Sequence, residues 1–204
     1  TKAKVESTIS AQGIGTFYAN AATFIPEGVK AYVALEEPVM DGADGQGNAV
    51  GTISMAEVTD IIPAKTGVVL RGEAGTYDFF YTAEDGAAGT DANLLVGYAG
   101  AAEFRAVSLL DNVNTYVLTV KDGAAGFYKK DAAFKVYNHK AYLNVPENAA
   151  GTLRLRFVDA DGTTEIRDVL LEQGETGEIY DLTGRRVRHA GKGVYIMGGK
   201  KVLR

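Results

Sequence analysis

The chain has 204 residues, a formal net charge of −5, 25 glycines, four prolines and no cysteine. Lacking cysteine, it has no disulfide framework, no thiolate zinc site and no cysteine nucleophile. No run of apolar residues approaches the length of a membrane-spanning helix, so no membrane span is expected.

The charge is unevenly placed. Residues 178–204 hold seven Lys/Arg against two acids, or +5, whereas residues 1–177 hold 14 basic against 24 acidic residues, or −10. An acidic body repels phosphate backbones, which argues against a nucleic acid partner. The length suits one large β domain with a small appendage.

In chain order, the first clear strand pattern is VKAYVAL (29–35). A glycine-rich acidic loop follows, EEPVMDGADGQGNAVG (36–51), and then a strand in IPAKTGVVLRG (62–72) and another in TYDFFYT (76–82). The small-residue stretch 83–102 reads as a loop. AAEFRAVSLLDN (101–112) is the best helical candidate and is expected to make one or two turns. VNTYVLTV (113–120) puts Val113 and Val117 on one face and Tyr116, Leu118 and Val120 on the other, as a strand covered on both sides would. TLRLRFV (152–158) alternates cleanly, with Leu153, Leu155 and Phe157 facing one way and Arg154 and Arg156 the other. Five Asp-Gly pairs punctuate these segments as turn signals. IPEGVKAYV (25–33), IPAKTGVVLRG and VPENAAGTLRLRF (145–157) each run from Pro through Gly into a strand, a placement that suits a residue without an N–H.

These patterns predict an all-β chain. An antiparallel β-sandwich or barrel-like body is expected over 1–170, a polar linker over 171–177, and a basic two-hairpin β appendage over 178–204. The tail strands read EIYDL, RRVR, GVYIM and KKVL. A unit of 27 residues has too little core to stand alone, so it is expected to pack on a partner surface.

Catalytic constellations are sparse. The two histidines, His139 and His189, have no partner at metal-ligand spacing, and neither H-E-x-x-H nor G-x-S-x-G occurs. Oxygen ligands alternate in two loops, Asp44, Gln46 and Asn48 in one and Asp159, Asp161 and Thr163 in the other. Neither completes a calcium pattern, and polar turns are the preferred reading. Asp78, between Tyr77 and Phe79, is the acid best placed to point inward as half of a hydrolase pair, with a solvent-facing strand residue the preferred reading. No catalytic, metal or cofactor residues are assigned, and the chain is expected not to be an enzyme. Tyr18, Tyr32, Tyr98 and Tyr195 are candidate stacking platforms for sugar rings, against the commoner fate of a strand tyrosine with its ring in the core.

The segment IYDLTGRRV followed by GKGVYIMGGKKVLR resembles the closing part of the type IX (Por) secretion sorting domain of Bacteroides-type secreted proteins. There a Y-[DN]-L-x-G-[RK]-x-V strand pair precedes G-[VI]-Y and a lysine-bearing last strand. Tyr180, Leu182, Gly184, Val187, Gly193, Tyr195 and Lys200 match it. Residues 14–157 are similar to a β domain of the same secreted repertoire, through IPEGVKAY, IPAKTGVVLRGEAGTY and KAYLNVP, and no catalytic residues are attributed to that domain. The resemblance implies a non-catalytic module, secreted or on the outer surface of a Gram-negative cell, with an adhesive role. The tail would meet secretion or cell-envelope components, and the body a glycan or a surface protein. A carbohydrate-binding accessory module is the alternative, and a glycan-active hydrolase a third reading. The chain opens on Thr1, so an export leader is expected to have preceded it.

Overall fold

The computed structural model describes residues 3–44, 47–86, 92–121, 123–146, 150–162, 164–167, 179–181, 186–187, 194–197 and 200–203. The chain divides into two compact units, Thr1–Val169 and Leu170–Arg204. The described residues contain strands and turns and no helix. The chain is all-β, as its period-2 patterns predict.

The first unit opens with β1 (Lys4–Ile9), β2 (Ile14–Phe17), β3 (Thr23–Phe24), β4 (Lys30–Val33), β5 (Val39–Ala43) and β6 (Ala49–Val58). It continues with β7 (Ile61–Ile62), β8 (Val68–Arg71), β9 (Gly75–Phe80), β10 (Leu95–Tyr98), β11 (Phe104–Val107) and β12 (Val113–Lys121). β13 (Ala124–Lys129), β14 (Phe134–Tyr137), β15 (Lys140–Pro146), β16 (Thr152–Val158) and β17 (Thr164–Arg167) complete it.

One sheet dominates. Its path runs β10-β15-β12-β13-β16-β6-β4-β8-β2, with β5 added to β6 and β17 to β16. All its pairings are antiparallel except β6 with β16, which run parallel with Leu155 opposite Ile53. The sheet curls until its two ends nearly meet, in a barrel-like form. Tyr18 N donates to His139 O at 3.2 Å and Leu94 N to Ala34 O at 2.8 Å across this seam. The Asn93 amide ties three segments there: its Oδ1 accepts from Ala34 N (3.0 Å) and Leu95 N (3.2 Å), and its Nδ2 donates to Gly67 O (2.7 Å).

Alternation along these strands makes two apolar faces from one sheet. The inner face packs Tyr32, Ile53, Met55, Tyr116, Phe127, Leu143, Leu155 and Phe157 into one core. Fully burying a side chain of this size contributes roughly 1.5–3 kcal/mol. The outer face is covered in two places by separate two-stranded ribbons. The β1/β9 ribbon lies over Phe17, Val33, Val68 and Leu70, where Phe17 and Phe79 stack with ring centroids 4.2 Å apart. The β11/β14 ribbon covers a third, smaller core of Val107, Val136 and Tyr142.

Leu153, Leu155 and Phe157 are fully buried, as their alternation predicts. The helical expectation for 101–112 fails, because residues 104–107 form β11. Pairing with β14 and burial of Val107 outweigh a short stretch's local preference. Pro26 and Pro63 precede β4 and β8, whereas Pro146 ends β15, at the last rung of its ladder with β12.

The second unit contains β18 (Ile179–Asp181), β19 (Arg186–Val187), β20 (Val194–Met197) and β21 (Lys200–Leu203). They form a four-stranded antiparallel sheet in the order β19-β18-β20-β21. Tyr180, Val187, Tyr195 and Lys200 lie on these strands, with Tyr180 opposite both Arg186 and Ile196. Leu182, Gly184 and Gly193, the linker 171–177, His189, Gln46 and Thr163 lie outside the described residues.

Candidate functional site

The chemistry of the body concentrates around the β11/β14 ribbon. FRAV (104–107) and FKVY (134–137) each alternate, and their pairing sets Phe104 opposite Tyr137 and Val107 opposite Phe134. Val107 and Val136 turn inward onto Tyr142, with Val96, Tyr98, Val117 and Phe134 packed around them. The other face of the ribbon is left to solvent. Tyr137 is 53% exposed and Phe104 36%, with their rings edge to face at 6.1 Å.

Cations stand over these rings. Lys135 Nζ lies 4.0 Å from the Phe104 centroid, Arg105 Cζ 5.4 Å from Tyr98 and Lys130 Nζ 6.0 Å from Phe134. The ring quadrupole attracts a cation but does not neutralise it. Among the described residues, no carboxylate lies within ion-pair distance of Arg105, Lys129, Lys130 or Lys135; the ion pairs there belong to Lys4 and Lys30.

Beside the ribbon two shallow depressions adjoin, sharing Leu110 and Thr115. The first, about 280 Å³, has Thr115, Tyr142 and Asn144 on its sheet side and Arg105, Val107 and Ser108 on its ribbon side. The second, about 300 Å³, includes Asn112, Asn114, Lys129 and Lys130. Thr115 Oγ1 donates to Asn144 Oδ1 at 2.8 Å, which orients that amide and leaves its NH2 without a partner among the described residues. Leu110 is 60% exposed at the rim. Together the depressions form an open groove with apolar, amide, hydroxyl and cationic groups, suited to holding an extended ligand.

The remaining titratable groups serve structure. Asp159 accepts from Lys30 Nζ and from Tyr32 Oη, each at 2.6 Å, and these hydrogen bonds hold its carboxyl below the usual carboxylate range. A general acid needs a shift in the other direction. Tyr32 itself is raised, first by burial and then by Asp159. Asp78 is bound by Lys4 Nζ at 2.8 and 2.7 Å on the solvent side of β9, so it points into no cleft. Asp44 accepts from Asn48 N and Nδ2, both at 2.8 Å, closing a polar turn. Among the described residues no three His, Asp or Glu side chains gather as metal ligands. His139 occupies a left-handed turn position, φ 57°, and its Nδ1 lies 3.0 Å from Tyr18 O, so it braces the seam of the sheet.

The tyrosines singled out from the sequence divide. Tyr32 is fully buried and offers no stacking face, because its strand position points into the inner core. Tyr18 is half-buried over Gly97, and Tyr98 is half-buried beneath Arg105. The Tyr195 side chain lies outside the described residues. The exposed rings are Phe104 and Tyr137, neither of them singled out. Their signal was present in the two F-[RK]-x-[VY] strands, but the helical reading of 101–112 obscured it. Comparisons with protein-family models, curated proteins and solved structures give no match to this chain.

Proposed function

We propose that this chain is a non-catalytic, exported cell-surface module of a Gram-negative bacterium. Its β body binds a surface ligand, in an adhesive role, and its C-terminal segment acts as a sorting or docking tail. The observation that carries the reading is the β11/β14 ribbon, where exposed aromatics and unpaired cations border an open groove. Such a surface is built for recognition, and it holds no nucleophile–base pair. The tail's likeness to type IX sorting segments supports export. Its partners would be secretion or envelope components.

The test is placement. The chain with an export leader, whole or truncated after residue 177, is expressed in a Bacteroides-type host, and the fractions are probed by surface proteolysis. The whole chain is expected on the cell surface and the truncated one retained within. Equal surface display of both, or retention of the whole chain in the cytosol or periplasm, overturns the reading.

A second reading, a carbohydrate-binding accessory module, is favoured by the Phe104 and Tyr137 rings. Exposed aromatics beside hydroxyl and amide groups stack on and hydrogen-bond sugar rings.

A further inference from the structure

We propose that the groove along the β11/β14 ribbon binds an acidic glycan, a sugar polymer bearing carboxylate or sulfate groups. This rests on the ligand-binding reading of the same site and adds the chemical class of the ligand.

The argument starts from charge. Residues 1–177 carry a formal −10, yet Arg105, Lys129, Lys130 and Lys135 gather at one ribbon and groove with no carboxylate in ion-pair reach among the described residues. Asp111 and Asp131 line the second depression without closing on any of the four. In an acidic protein, exposed cations left unpaired together are a local exception, and an anionic ligand is what they complement.

The second strand is shape and hydrogen bonding. The groove is open and shallow, and its floor presents the Asn144 NH2 and the Thr115 hydroxyl, groups that match sugar hydroxyls and ring oxygens. Phe104 and Tyr137 offer ring edges and faces at the ribbon's outer side. An acidic peptide would use the cations but has less use for the aromatic surface. Duplex DNA, with about one charge per 1.7 Å, would meet the strongest repulsion from the acidic remainder of the body. A sugar polymer with at most one or a few charges per residue presents its anions more sparsely.

The experiment is native affinity electrophoresis of the full chain. Gels contain polygalacturonate, chondroitin sulfate, dextran, poly-Glu or duplex DNA, and each protein is run at low and high salt. Retardation is expected in polygalacturonate, chondroitin sulfate or both, lost at high salt, and absent in dextran, poly-Glu and DNA. The two acidic polymers tell carboxylate from sulfate recognition. The Arg105→Gln/Lys135→Gln double variant is expected to weaken retention at least about tenfold, since two charge-assisted contacts are removed. Lys121→Gln, a cation outside the groove lining, is expected to leave it unchanged, and melting curves confirm that each variant is folded.

Retention unchanged in the double variant would assign binding to the basic tail and overturn the proposal. Equal retention in dextran would keep a sugar site and overturn the acidic class. Equal retention by poly-Glu or DNA, or none by any polymer, overturns it as well. Surface placement is measured separately, so loss of this inference is distinguishable from loss of the export reading.

Discussion

The ring of Tyr18 covers Gly97 so closely that a Cβ on residue 97 would lie 2.1 Å from Tyr18 Cγ. Tyr18 follows β2 and Gly97 sits in β10, the two ends of the main sheet, so this contact is where the curled sheet meets itself. Gly97→Ala forces the ring away from the seam. It is expected to lower stability by about 1–3 kcal/mol, read as a lower urea midpoint at unchanged slope. A midpoint equal to that of the parent chain would show that the seam yields without cost.

Thr23 is fully buried, and its Oγ1 has no hydrogen-bond partner among the described residues. Desolvating a hydroxyl without compensation is unfavourable, and valine has the same shape without the polar atom. Thr23→Val is expected to stabilise the chain by about 1 kcal/mol. Thermal unfolding checks it, and a lowered midpoint would reveal a partner for the hydroxyl.

Lys140 has a lowered pKa because burial disfavours its ammonium, which finds only Ser7 Oγ at 3.2 Å and Thr16 O at 3.5 Å. Between the folded value and the ordinary 10.5 the unfolded chain binds more protons, so stability rises with pH through that window. Below the window both states are charged and the full penalty stands. Lys140→Met is therefore expected to stabilise the fold near neutral pH and to remove this rising contribution. The check is the difference in urea midpoint between the two proteins from pH 7 to 10.5. Tyr116, pushed up to about 12 by burial, changes stability in the opposite sense above pH 10, and it cancels in that difference. A difference that does not shrink as pH rises would contradict the account.

Asp159 supplies an acid limb. Its folded pKa is depressed, first by the hydrogen bond from Lys30 and then by that from Tyr32, so its contribution is present above the ordinary value of 3.8. The contribution is lost as pH falls from there through the folded value. Asp159→Asn is expected to be less stable than the parent at pH 7, with the gap closing below pH 3.8. Tyr32→Phe is expected to cost about 1 kcal/mol at pH 7 and to reduce the same acid dependence, since one of the two bonds to Asp159 is gone. Midpoints measured from pH 2 to 7 decide it. A gap that persists at pH 2 would mean the carboxylate's charge is not what stabilises the cluster.

Much of the fold is readable in short stretches. TLRLRFV places Leu153, Leu155 and Phe157 on one face by period alone, and all three are buried. VKAYVAL reads as a strand, and β4 has apolar residues on both faces, with Ala31 and Val33 under the β1/β9 ribbon and Tyr32 in the inner core. The candidate site was less legible. Its residues come from β11, β12, β14 and β15, and its cations matter because no carboxylate approaches them, a fact about distance that no local pattern carries. Tyr32 shows the same limit from the other side, since a strand tyrosine looks alike whether its face is buried or wet.

The sequence by itself determined that the chain is built of strands and which residues share a strand face, because side-chain alternation is a local consequence of extended backbone. Tertiary structure alone decided which strands became neighbours. β16 lies parallel to β6, about a hundred residues earlier, and the β11/β14 ribbon folds back over β12 and β15. Pairing of this kind depends on burying a whole face against a distant one, and that free energy exists only once the distant segment is in place.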